Sequence, residues 1–177
     1  MNEILKYDAD FSESKFITYV NNVFIQIYTA LMTKEIENIK HFVTDSLYQM
    51  LENKVIDLKS QGLIQMYDEL NVASTDILSY QVKDNQMIIQ VRILSRYLDY
   101  IMDENGNYIR GNQESRVSKN NDLTLIKKID FQKVGTVNKC PGCGASIDVN
   151  KTGLCPYCGT TYNQEDKNWI VSSMKTE

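Results

Sequence analysis

Apolar positions in the first third of the chain recur at spacings of three and four. Phe16, Val20, Val23, Phe24, Ile27 and Leu31 fall on one side of a helical wheel, which predicts an amphipathic helix with that stripe packed into a core. Ser12 stands where an N-cap belongs, and Phe11 before it can staple onto Phe16. Thr33 and Thr44 are expected to cap two further helices. The first carries Ile36, Ile39 and Phe42; the second carries Leu47, Tyr48, Leu51, Val55 and Leu58 and stops near Gly62. Residues 1–62 therefore read as helical.

From Leu63 onward the period becomes two. Leu70, Val72, Ser74, Asp76, Leu78 and Tyr80 form one face of an expected long strand. The polar stretch Lys83-Asp84-Asn85-Gln86 is the expected turn into a second strand, whose face is Met87, Ile89, Val91, Ile93, Ser95 and Tyr97. The run from Asp103 to Asn107 is a stronger turn signal, because Asn105-Gly106 tolerates the positive φ of a hairpin. A third strand is expected from Tyr108 towards Arg116, and a fourth from Leu123 to Phe131 with Leu125, Ile129 and Phe131 on one side. Helices followed by an antiparallel meander predict an α+β fold, with a twisted sheet curling around the helices to leave a concave side.

Composition narrows the functions. The chain has 177 residues, 42% hydrophobic, enough for one packed domain and a small appendage. Its net charge is −4 and its pI about 5.1, which argues against nucleic-acid binding as its main work and against docking on anionic lipid by charge alone. No apolar run approaches the ~20 residues needed to span a bilayer. No positive-then-apolar start resembles a signal peptide.

The four cysteines add a chemistry of their own. Cys140-Pro-Gly-Cys143-Gly and Cys155-Pro-Tyr-Cys158-Gly are two copies of one knuckle pattern. In each, two residues between the sulfurs let both reach one ion, and the following glycine permits a turn that aims backbone N–H groups at the thiolates. Residues 144–154 between the pairs leave room for a small hairpin of Ala145–Asp148 against a return through Gly153. Four soft sulfur ligands suit one tetrahedral Zn²⁺, and four protein ligands close its coordination sphere to water, so the expected ion is structural. Iron is the alternative, because rubredoxin-type sites use similar knuckles. Clustered CxxC pairs point to a reducing cytoplasm or a cytoplasmic membrane face.

Candidate catalytic residues are few. The single histidine, His41, lies beside Phe42 in the helical region and reads as a surface or capping residue. Asp99, between Tyr97 and Tyr100, reaches a pocket only if its strand face turns inward. No nucleophile elbow, P-loop, dinucleotide fingerprint or zinc-protease motif occurs. The expectation is that the protein is not an enzyme.

Several segments together resemble a bacterial Tim44-like domain carrying a zinc ribbon, a family named after the mitochondrial import-motor subunit that docks on the inner membrane. They are Asp8-Ala9-Asp10-Phe11, Phe42 with Leu47-Tyr48, Tyr100-Ile101-Met102-Asp103 with Arg110-Gly111, both cysteine knuckles with Gly153, and Asn168-Trp169-Ile170-Val171-Ser172. The resemblance implies helices packed on a curved antiparallel sheet, as in the nuclear-transport-factor-two cone, over residues 1–135. A zinc ribbon and tail then occupy 136–177. It further implies a non-catalytic binding or scaffold role, transport-related, with a protein or lipid partner and peripheral membrane contact. Trp169 reads as an anchor that clamps the tail onto the ribbon or the sheet. Nucleic-acid binding through the ribbon, carried by Lys133, Lys139 and Lys151 against Asp148, is a further alternative. An enzyme in the concave pocket is another, and it rests on fold analogy alone.

Overall fold

The computed structural model describes residues 1–9, 11–129, 138–139, 144–147, 157–158 and 169–177. A short helix, α1 (Asn2–Leu5), precedes the long helix α2 (Glu13–Thr33); a 3₁₀ turn (Ile36–Ile39) leads to α3 (Asp45–Ser60). Three long strands follow, β1 (Leu63–Lys83), β2 (Gln86–Asp103) and β3 (Tyr108–Lys128). Two short ones, β4 (Asn138–Lys139) and β5 (Ser146–Ile147), pair with each other, and β6 (Ile170–Thr176) ends the chain. The main sheet runs in the order β1-β2-β3-β6, antiparallel throughout, with the helices on one face.

The predicted stripe of α2 is its packed face: Phe16, Val20, Val23, Phe24, Ile27 and Leu31 are all buried. Each such side chain contributes about 1.5–3 kcal/mol through burial. Phe11 packs on Phe16 with ring centroids 5.5 Å apart, the staple expected of that pair. Thr44 does cap α3, its hydroxyl accepting from the Leu47 N–H at 3.5 Å. Thr33 caps nothing. It is the last residue of α2, its hydroxyl donates back to the Thr29 carbonyl, and Lys34 after it turns left-handed. The segment that follows is a single 3₁₀ turn, too short for the α-helix expected there.

Strand β2 buries the predicted face without interruption, from Met87 to Tyr97. Its turn from β1 places Asp84 and Asn85 both at positive φ, the backbone of a two-residue hairpin. Strand β1 departs from the expected alternation. Irregularities between Asp68 and Asn71, Val72 and Ser74, and Ile77 and Ser79 each shift the pairing, and a bulge swaps the faces of every residue beyond it. Leu70 and Val72 pack inward, then Thr75 and Ile77, then Tyr80 and Val82, while Ser74, Asp76 and Leu78 are exposed. Such bulges also sharpen the bend of a strand around its helices.

The expected third and fourth strands are one. Strand β3 runs unbroken through the polar stretch Ser118–Asp122 because β2 pairs with it there, Leu94 opposite Asn120 and Arg92 opposite Asp122. The fourth strand of the sheet is β6, which pairs with the second half of β3 from Asn121 to Ile126. Trp169 just before it is buried, with ring centroids 5.2 Å from Phe16 and 6.1 Å from Phe11. Its carbonyl accepts the Tyr19 hydroxyl. The expected anchor therefore clamps the tail onto the helix face of the sheet. Val171 completes the seam, exchanging backbone hydrogen bonds with Phe42 and Thr44.

Candidate functional site

Where α2 and α3 face the sheet, a cavity of about 360 Å³ opens among residues of all its main elements. Helix α2 contributes Tyr28 and Leu31; α3 contributes Met50, Leu51 and Lys54. The sheet supplies Gln65 and Tyr67 from β1, Tyr97 and Asp99 from β2, Lys119 from β3, and Met174 and Thr176 from β6.

The floor is a cluster of three tyrosines. Tyr28 and Tyr67 meet edge to face at 4.6 Å, and Tyr97 stands 5.4 Å from Tyr67 and 5.7 Å from Tyr28. Below them a buried polar network is saturated. The Asn121 carbonyl oxygen accepts from the Tyr28 and Thr176 hydroxyls, both at 2.9 Å. Its amide donates to the Ser95 hydroxyl at 2.9 Å and to the Ile93 and Lys119 carbonyls at 3.3 Å. Two polar side chains with no exposure, Ser95 and Asn121, are thereby paired, as burial requires. Thr176 ties β6 into this network, so the tail helps to build the cavity.

The rim carries charge. Lys54 donates to the Tyr67 hydroxyl oxygen at 2.9 Å. Asp99 accepts from the Gln65 amide at 2.8 Å, and the same amide nitrogen reaches the Tyr100 carbonyl at 3.2 Å. Asp99 is thus the one member of the cavity that the sequence singled out. Tyr100 points elsewhere, its hydroxyl bonded to Asp68. Burial pushes the Tyr67 and Tyr97 hydroxyls well above the ordinary tyrosine range, with the nearby Asp99 charge adding to it. Tyr28 is raised as well, first by burial. All three hydroxyls therefore stay protonated and act as hydrogen-bonding groups, not as bases.

His41 is apart from this cavity. Its ring lies on Phe42 at 3.9 Å, and partial burial lowers its pKa, favouring the neutral ring. No nucleophile is paired with it in the hydrogen bonds among the described residues.

A model of the Tim44-like domain matches residues 1–135. The chain belongs to the Tim44-like domain family. The match covers every element from α1 to β3, and so takes in the cavity except for its β6 wall. A comparison with curated proteins found no match. Among the described residues of this Tim44-like protein, no helix is long and apolar enough to cross a membrane.

Of the four cysteines, Cys140, Cys143 and Cys155 lie outside the described residues, as do Gly153 and Asp148, and Cys158 is exposed. Two described features flank the first knuckle. Strands β4 and β5 pair Asn138 with Ile147 and Lys139 with Ser146, so the chain entering the knuckle lies beside the chain leaving it. Gly144, directly after Cys143, has a φ of 71°, the left-handed turn that its place in the motif calls for.

Sequence reasoning missed most of the cavity. Lys54, Gln65, Tyr67 and Lys119 come from three separate elements, and no spacing rule links the three. Tyr97 was legible as an inward residue of β2, and a search for polar neighbours along the same strand end does lead to Asp99.

Proposed function

We propose that this Tim44-like protein is a non-catalytic binding module that takes a protein or lipid partner at or near a membrane. The observation that carries this reading is the cavity: a set of protonated tyrosine hydroxyls, a saturated amide network and a rim of charged groups, with no base and nucleophile set against each other. Such an arrangement orients and holds a ligand, whereas proton transfer needs a group whose pKa lies near the working pH. Family membership supports the placement near a membrane.

We further propose that Cys140, Cys143, Cys155 and Cys158 hold one Zn²⁺ as thiolates. The donor set fits the ion, since four soft sulfurs at CxxC spacing fill a tetrahedral site. The left-handed Gly144 and the β4–β5 pairing around the first knuckle support that geometry. The zinc would supply cross-linking and not chemistry, since no fourth position is left for water.

Fractionation of cells producing the full chain tests the membrane reading. Recovery of a substantial share with membranes, released by carbonate as a peripheral protein is, is the expected result. Recovery wholly in the soluble fraction, with no partner retained by cross-linking, would overturn it.

A further inference from the structure

We propose that the cavity is a site for a small organic carboxylate, gripped by Lys54, Lys119 and Tyr67. Both lysines line the cavity, and neither is in an ion pair with a carboxylate among the described residues. The Tyr67 oxygen accepts from Lys54, which leaves its own proton without an acceptor among the described residues. Three donors of this kind are what an anionic oxygen pair requires, since charge-assisted hydrogen bonds are the strong ones.

Asp99 lines the same cavity, its carboxylate held by the Gln65 amide. A carboxylate ligand meets two lysines and one negative group there, which leaves a net attraction. The apolar part of the ligand is limited by space. Leu31 and Met174 offer walls for one ring or a short chain, and a volume of about 360 Å³ lies at the small end of ligand pockets. A lipid with two full acyl chains is too large for it.

Benzoate is the probe. Titrated into the ¹⁵N-labelled full chain, it is expected to shift the amide signals of Tyr67 and Lys119, with benzamide binding about tenfold or more weakly. Replacing both lysines (Lys54→Gln with Lys119→Gln) should weaken benzoate by a similar factor, while Lys83→Gln at the distant β1–β2 turn leaves it unchanged. Asp99→Asn, which removes the negative group beside the ligand, should tighten benzoate binding. Equal binding of benzoate and benzamide, wild-type affinity in the double lysine variant, or no shift at the cavity amides would each overturn the proposal. It rests on the cavity and not on the membrane reading: a chain that binds benzoate yet never associates with membranes would sink that reading and keep this one.

Discussion

Replacing Trp169 with alanine tests whether the tail strand belongs to the folded domain. The indole is 8% exposed and stacks edge to face on Phe16 and Phe11. Removing a buried Trp ordinarily costs about 3–5 kcal/mol, the lost transfer free energy plus the cavity left behind. The two ring contacts place the expected loss in the upper half of that range, because aromatic pairs add about 0.5–1.5 kcal/mol beyond burial. For a domain of this size the melting temperature should fall by roughly 8–20 °C. Denaturant unfolding followed by far-UV CD measures the free energy, and hydrogen exchange locates the damage. The β6 amides from Ile170 to Met174 should lose protection before those of β2. Tyr157→Ala is the control, since that ring is 73% exposed and should change stability by less than about 0.5 kcal/mol. A loss below about 1 kcal/mol for Trp169→Ala would refute the argument, since that is the size of a surface effect and not of a lost anchor.

Three other outcomes follow from the same structure. Gly111 has a φ of 115°, and a Cβ there would overlap the Asp99 carbonyl oxygen and lie 2.5 Å from the Tyr100 Cα. Gly111→Ala should therefore cost about 2–4 kcal/mol in chemical denaturation, and a neutral result would mean that β2 and β3 do not approach so closely. Stability should hold up to pH ~10, the ordinary tyrosine value, and then fall as the pH rises towards about 12, where burial and the charges of Glu37 and Glu52 place Tyr48. The sign follows because the folded state keeps the phenol proton that the unfolded chain releases; an alkaline melt no less stable than the neutral one would contradict it. Cys143→Ser should release the metal, read by elemental analysis, while the helix–sheet domain loses only about 1 kcal/mol through the longer unlinked loop between β3 and β6. Retention of one equivalent of zinc would show that Cys143 is not a ligand.

How far the fold could be read in advance depended on whether a segment's pattern was set locally. The α2 stripe and the β2 face repeat cleanly, and each is buried as the period demands. Strand β1 has a clean period too, but its bulges are set by pairing with β2, so Ser74, Asp76 and Leu78 were placed on the wrong face. The run Ser118–Asp122 looked like a loop because it is polar. Asn121 is instead fully buried, its cost offset by Tyr28, Ser95 and Thr176 from three other elements. The pairing of β6 with β3 joins segments far apart in sequence, and nothing local in Ile170–Thr176 names its partner; only Trp169 signalled that the tail is anchored. Of the cavity's charged rim only Asp99 was legible, since the lysines look like any solvated lysine until the fold brings them together.

The central claim is that the cavity receives a partner. A photoreactive amino acid at Met50, which lines the cavity and is 52% exposed, tests it most directly when irradiated in intact cells. The account predicts a discrete adduct, identified by mass spectrometry as a protein, a single-chain lipid or a small carboxylate, that is absent when the same group is placed at Lys83. No adduct at Met50, or the same adducts at both positions, would contradict it.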